Sequence, residues 1–179
     1  MMKVEPTVCP CGLGDYQTCC QPYHQGQNAP TAERLMRSRY SAYVLQDIDY
    51  IIRTTVPAQA GLLDRAALSQ WAAQMHWRNL EIVSIAPKIG KRHAQVHFRA
   101  YFDKQDNFAG NDNGVSTDSD GVGCHDERSA FVKIKQGEEV RWYFLDPTVP
   151  NSLTNKQPCL CSSGEKFKAC CGKFLATGG

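Results

Sequence analysis

The stretch His93-Ala94-Gln95-Val96-His97-Phe98-Arg99-Ala100-Tyr101-Phe102 alternates small or apolar residues with polar ones. Successive side chains of an extended chain leave on opposite faces, so this alternation makes one apolar and one polar surface. Ala94, Val96, Phe98, Ala100 and Phe102 form the face that seeks a core; His93, Gln95, His97, Arg99 and Tyr101 form the other. Upstream, residues 80–86 read as a strand. Downstream, residues 127–135 and 140–145 read as a hairpin around Gln136-Gly137-Glu138. Before the strands the period becomes helical. Thr31 caps a helix with Leu35, Met36, Tyr40, Tyr43 and Val44 on one face and Arg34, Arg37 and Ser38 elsewhere. Asp47 caps a shorter helix holding Ile48, Ile51 and Ile52, and Asp64 opens a third with Leu68, Trp71, Ala72 and Met75. Helices followed by consecutive antiparallel strands define an α+β plan. The polar stretches 21–30, 105–123 and 148–158 read as connections, the second as a mobile surface loop.

Nine cysteines are abnormal in this composition, and eight fall into two clusters. Cys9 and Cys11 are followed by seven residues and then Cys19-Cys20; Cys159 and Cys161 are followed by eight and then Cys170-Cys171. An aromatic, Tyr16 or Phe167, stands three residues before each final pair, so the clusters are an internal repeat. Disulfides need an oxidising compartment and strict geometry, which adjacent cysteines meet poorly. Four thiolates around a tetrahedral ion suit the spacing better, with glycines at 12, 14 and 164 letting the backbone wrap. Two zinc ions are expected, held by Cys9, Cys11, Cys19 and Cys20 and by Cys159, Cys161, Cys170 and Cys171. Iron is the rival metal, because tetrahedral thiolate sites suit both. Segments this short bury no core, so their folding is expected to depend on metal while the region between them stands alone.

A chain of 179 residues, 42% apolar and 21% charged, holds one packed domain with small appendages. No apolar run is long enough for a membrane span, and the first residues carry no secretory h-region, so a cytoplasmic location is expected. A formal charge of +2 is too small to argue by itself for a nucleic-acid footprint, and nucleic acid is not the expected partner. The charge is uneven: Lys156, Lys166, Lys168 and Lys173 face only Glu165 near one end, whereas Lys3 faces Glu5 and Asp15 near the other.

The C-terminal cluster, with Ser163-Gly164 and Lys166-Phe167-Lys168, resembles the SEC-C motif known from the zinc tail of the preprotein translocase ATPase. The copy at 9–20 resembles it with a spacer one residue shorter. The helix-then-sheet order resembles the nuclear-transport-factor-2-like fold, in which helices on a curved sheet enclose a conical pocket. Three strings strengthen the likeness: Leu35-Met36-Arg37-Ser38-Arg39-Tyr40-Ser41-Ala42-Tyr43-Val44, Glu127-Arg128-Ser129 before Phe131, and Trp142-Tyr143 before Asp146. With SEC-C motifs on both flanks, the chain resembles the uncharacterised bacterial YchJ-type family, relative to which 105–123 looks like an insertion. The resemblance implies a zinc module at 1–25, a core domain at 31–147 and a second module at 155–179. It implies no known reaction.

The sequence holds no phosphate-binding glycine loop, no G-x-S-x-G elbow and no H-E-x-x-H. Candidate pocket residues are Trp77, His97, Tyr101, Arg128 and Trp142, although the polar face of 93–102 reads more readily as a solvated outer face, with the aromatics in the core. Cys124 and His125 are neighbours on opposite faces of a strand, which argues against a nucleophile–base pair. The expected function is non-enzymatic: zinc modules on a pocketed core, docking protein partners of the secretion or translation machinery. The alternative is a small-molecule enzyme or ligand-binding protein that uses the cone, with zinc purely structural.

Overall fold

A computed structural model describes residues 6–103, 115–117 and 121–175. Thr31 caps helix α2 (Ala32–Val44) by accepting from the Arg34 amide. Asp47 and Asp64 cap α3 (Ile48–Arg53) and α5 (Arg65–Gln74) in the same way. Each cap satisfies amides that a first helical turn leaves unpaired. Two one-turn helices, α1 (Gln21–His24) and α4 (Pro57–Ala60), carry a proline in the first turn, Pro22 and Pro57, whose fixed φ suits it. The first lies in the stretch assigned to a linker; four residues are too few to show a period.

Five antiparallel strands follow. β1 (His76–Ala86) pairs with β2 (His93–Asp103), and β2 with β4 (Val122–Gln136). β3 (Val115–Thr117) lies beside the start of β4 and β5 (Glu139–Leu145) beside its end. β1 slips register between Trp77 and Asn79 and again between Ile82 and Ser84; such bulges bend a strand. Residues 104–114 and 118–120, and with them most of the stretch 105–123, lie outside the described residues. Within that stretch 115–117 is strand and β4 starts at Val122, so the described part is not loop alone.

The apolar face of β2 packs under α2, as its alternation demands. Cys9, Cys11, Tyr16, Cys19 and Cys20 belong to that same buried cluster. The opposite face of the sheet is covered at its β4–β5 end. There Ala130, Val132, Ile134, Tyr143 and Leu145 meet Cys159, Cys161, Phe167, Cys170, Cys171 and Leu175. The two cysteine segments thus sit on opposite faces of one sheet and fill part of its interior. Tyr16 and Phe167, 5% and 2% exposed, are the plugs.

α2 departs from the one-sided helix the sequence suggests. Ser38, expected away from the apolar face, is fully buried and lies 2.6 Å from the Tyr50 hydroxyl. Arg39 is 4% exposed. Its Nη1 donates to Ile51 O at 2.8 Å and Thr54 Oγ1 at 2.7 Å, and its guanidinium lies 4.4 Å from the Phe144 ring centroid. Flanked by sheet and α3, α2 buries polar side chains too, and the buried hydroxyl and guanidinium find hydrogen-bond partners there. Among the described residues no helix is long and apolar enough to cross a membrane.

Candidate metal centres and cone

Each cysteine cluster is a loop closed by the same three backbone hydrogen bonds. Cys9 N donates to Gly14 O, Gly12 N to Cys9 O, and Tyr16 N to Thr7 O. The second loop repeats them as Cys159 N to Glu165 O, Ser162 N to Cys159 O, and Phe167 N to Gln157 O. Its extra residue falls between the Cys-x-Cys pair and Glu165. Gly12 and Ser162, each just after the pair, have φ of +82° and +56°; this left-handed step turns the chain back over the site.

The sulfurs fit a metal. A tetrahedral ion with sulfurs at about 2.3 Å holds them about 3.8 Å apart. Separations in the first tetrad are 3.5 Å for Cys9–Cys11, 3.4 Å for Cys11–Cys19, 3.7 Å for Cys11–Cys20 and 3.9 Å for Cys19–Cys20. In the second they are 3.6 Å for Cys159–Cys161 and 3.5 Å for Cys161–Cys170. All eight thiols are buried, and none is in a disulfide. Hydrogen bonding with Cys11 and Cys20 shifts the Cys9 thiol far below the ordinary range, whereas Cys11, Cys9 and burial push Cys20 far above it. Cys159 and Cys171 lower Cys161, while Cys159, Cys161 and burial raise Cys171. Four thiolates this close repel one another, and a cation among them would offset that charge. Each tetrad could hold one metal ion.

Between α2, α5 and the concave side of the sheet lies a cavity of about 280 Å³. Its walls are largely aromatic, with Tyr40, Tyr43, Trp71, Trp77, Phe98 and Phe144 around Ala100. Besides Arg39 of α2 and Asp146 and Thr148 after β5, three polar groups come from β4. His125 Nε2 lies 2.8 Å from Glu127 Oε2, and Ser129 Oγ donates to Glu127 Oε1. Burial alone would raise the Glu127 pKa, but the bonds from His125 and Ser129 outweigh it and hold the carboxylate below its usual range. Its side chain retains 29% exposure on the cavity wall.

Of the predicted pocket residues, Trp77 lines this cone. His97, Tyr101 and Arg128 do not, because the apolar face of β2 is the one turned inward. His97 lies 2.6 Å from Asp126 Oδ1 on the outer face, Tyr101 donates to Glu81 Oε2 at 2.8 Å, and Arg128 is the exposed register partner of His97. Trp142 sits on β5 at a separate cavity, donating to Pro30 O at 3.3 Å. His125, set aside as incidental beside Cys124, faces inward with Glu127 and Ser129. The signal was the spacing His125-x-Glu127-x-Ser129, which puts all three on one strand face.

A conical α+β domain with a four-cysteine cluster that could hold a metal ion built against each face of its sheet defines a nuclear-transport-factor-2-like protein with two candidate metal centres. The family model of the YchJ middle, nuclear-transport-factor-2-like domain matches residues 31–147, and that of the SEC-C motif residues 156–173. The chain belongs to this uncharacterised YchJ, or UPF0225, family. A UPF0225 protein of Actinobacillus succinogenes is 46% identical over 172 residues, covering 94% of this chain and 98% of the relative. One from Haemophilus influenzae (strain PittEE) is 47% identical over 169 residues, 93% of each chain. The crystal structure of a SEC-C motif containing protein from Psychrobacter arcticus superposes with a TM-score of 0.83 at 48% identity, covering 94% of this chain and 97% of that one. The solution structure of another, from Rhodopseudomonas palustris, gives 0.60 at 33% identity, covering 78% and 95%. The motif model reaches only the second cysteine cluster; the shared hydrogen bonds carry the likeness to the first.

Proposed function

We propose that the protein is a cytoplasmic small-molecule binding protein with acid–base capability, in which two zinc ions staple cysteine loops to the faces of the sheet and the cone is the working part. The observation that carries this reading is the His125–Glu127–Ser129 group on the wall of a largely aromatic cavity. A hydrogen-bonded carboxylate and imidazole in an apolar cleft can bind a ligand or move its proton. The tetrads support the staple role because their thiols are buried against the core. Zinc is favoured over iron as the ion commonest in closed four-thiolate structural sites.

The test is a ligand-observed NMR screen of small aromatic and carbonyl compounds, run in parallel on Ala100→Leu, which fills the floor of the cone. Compounds that bind the native chain and not the folded variant support the reading; a cone that binds none of the library sinks it. Metal analysis of the same chelator-free preparation should find close to two equivalents of zinc.

A second reading rests on Lys156, Lys166, Lys168 and Lys173, all exposed and in no ion pair among the described residues. These lysines would dock an acidic surface on a protein partner, with the secretion or translation machinery as the natural class. Rim charges act on association rate and salt dependence. Lys166→Glu with Lys168→Glu should then keep zinc and lose low-salt partner binding; unchanged binding removes this reading.

A further inference from the structure

The cone is an aromatic cavity whose wall charges do not balance. Arg39 brings one positive charge, and Glu127 and Asp146 bring two negative ones. Burial raises the phenols of Tyr40 and Tyr43, which therefore stay neutral and add nothing. With the imidazole of His125 neutral, the wall carries one negative charge in excess. The carboxylates find their partners among neutral groups. Glu127 is held by His125 and Ser129, and Asp146 Oδ1 accepts from the Thr148 amide at 2.8 Å and hydroxyl at 2.6 Å. Neither is ion-paired with a lysine or arginine among the described residues.

The one cation of the wall is committed on the α3 side. Arg39 Nη1 donates to Ile51 O, Thr54 Oγ1 and Thr55 Oγ1 at 2.8, 2.7 and 3.3 Å. The carboxylates stand together on the sheet side. Leu145 is the register partner of Ala130, so Asp146, one residue on, leaves β5 close to Ser129 and Glu127. Both carboxylates act on Tyr43 as well as on Arg39, so their charge reaches one neighbourhood. The exposed members of the lining, Pro147 and Thr148, follow Asp146 and mark the mouth. A cleft with low-dielectric walls focuses a charge of one sign and draws ligands of the other.

The rings add a second attraction. Tyr43 stands at 84° to Trp71, Trp71 at 68° to Trp77, and Tyr40 at 68° to Trp77, with centroids 5.1, 5.5 and 5.8 Å apart. Rings this steep to one another make corners rather than a parallel slot, which suits a rounded head better than a flat ring. Aromatic rings attract cations through their quadrupole, more strongly where water is excluded. Phe144 of the same wall already holds one, the Arg39 guanidinium, 4.4 Å from its centroid. A cavity of about 280 Å³ admits only a small molecule.

Resting on the reading of the cone as a binding site, we infer that its occupant is a small organic cation, an N-alkylated ammonium whose head lies among the rings and near Glu127 and Asp146. Apolar substituents on the nitrogen suit walls that are largely aromatic. The two carboxylates, with hydrogen-bond donors already in place, supply the opposing charge.

Three probes of one shape join the ligand library and isolate charge: choline, the neutral 3,3-dimethylbutan-1-ol and the anionic 3,3-dimethylbutanoate. They are compared at about pH 8, where free imidazole is neutral and the butanoate is ionised. Choline should bind about tenfold more tightly than the alcohol, and the butanoate should not bind measurably. Asp146→Asn keeps an acceptor for Thr148 and should weaken choline about threefold while leaving the alcohol unchanged. Glu127→Gln, in the wall itself, should weaken choline about fivefold to tenfold. Equal or tighter binding of the alcohol or the butanoate, or a choline affinity that neither carboxylate variant lowers, overturns the inference while leaving the cone a binding site. Choline that binds the folded Ala100→Leu variant as well as the native chain is held elsewhere and also overturns it. Failure of choline to bind overturns it too: library compounds that bind the native chain and not Ala100→Leu then keep the cone as a site, and no binder at all removes both readings.

Discussion

His93 Nε2 lies 3.4 Å from Cys171 Sγ and 3.9 Å from Cys170 Sγ, so the first residue of β2 reaches the C-terminal cysteine tetrad. The ring is fixed by Phe174, 4.6 Å away, and by Gly90, where a Cβ would come 3.1 Å from His93 Nδ1. The N-terminal site has a counterpart: the Ser41 hydroxyl of α2 lies 3.5 Å from Cys20 Sγ and 3.6 Å from Cys9 Sγ. Each tetrad thus meets a hydrogen-bond donor from the domain between the cysteine loops. Donors to metal-bound thiolates orient them and offset their charge, and losing one typically costs tenfold or more in metal affinity. His93→Phe keeps the ring packing and removes the donor. One of two zinc-release phases, read with a chromogenic chelator, should accelerate about tenfold, and His93→Gln should recover part of the loss. Equal release from both sites in His93→Phe would show that the contact does nothing for the metal.

Metal removal should be felt by the whole chain. Cysteines of the first tetrad share a buried cluster with Leu35, Tyr40, Val96 and Phe131, and those of the second with Val132, Tyr143 and Leu145. Extracting the ions leaves thiols crowded without a cation and loosens Tyr16 and Phe167 on either side of the sheet. Chelation should therefore lower the melting temperature of the core in a cooperative transition, with protease sensitivity spreading beyond the two loops. Cleavage confined to the loops, with 31–147 resistant, would restore the independent core expected from sequence.

The strands and caps were legible because they depend on local alternation and on Asp or Thr before an apolar period. The two cysteine tetrads were legible because spacing alone brings four thiols together. The cone was not. Alternation in β2 divides its residues into two faces and leaves open which face turns inward, so His97 and Tyr101 were as eligible as Phe98 and Ala100. That choice is made by the tertiary fit of α2, whose apolar and buried polar residues need the apolar face of β2 beneath them. The buried Arg39 and Ser38 were hidden for the same reason: their partners, Ile51, Thr54 and Tyr50, lie on another helix.

Gly123 should resist substitution. A Cβ there would lie 2.3 Å from the Phe102 ring, which is buried at the edge of the cone. Gly123→Ala forces that ring aside and should cost about 1–3 kcal/mol, as overpacking does. Combining it with Phe102→Leu, which withdraws the ring, should cost less than the two separate losses added together. Denaturant unfolding of the three variants checks this; strict additivity would mean that ring and backbone do not meet.

Acid should weaken the fold through His24. Its Nε2 lies 2.9 Å from Ser38 O, which can only accept, so Nε2 carries the proton and Nδ1 accepts from the Tyr16 hydroxyl at 2.7 Å. Both bonds need the neutral ring, and burial lowers its pKa. An unfolded imidazole titrates at about 6.5. Between the depressed folded value and about 6.5 the unfolded chain binds more protons, so stability rises with pH across that window. The contribution is complete above it and falls away as pH drops below about 6.5. Loss of metal adds to the acid effect, since protons compete for thiolates; His24→Phe separates the two because it cannot titrate. Melting temperatures of the native chain should drop more steeply between about pH 7.5 and 5.5 than those of the variant. The His24 ring should titrate below the free value by NMR. A ring that titrates at or above about 6.5 would mean that the His24 bridge between the first cysteine loop and α2 tolerates the charged imidazole.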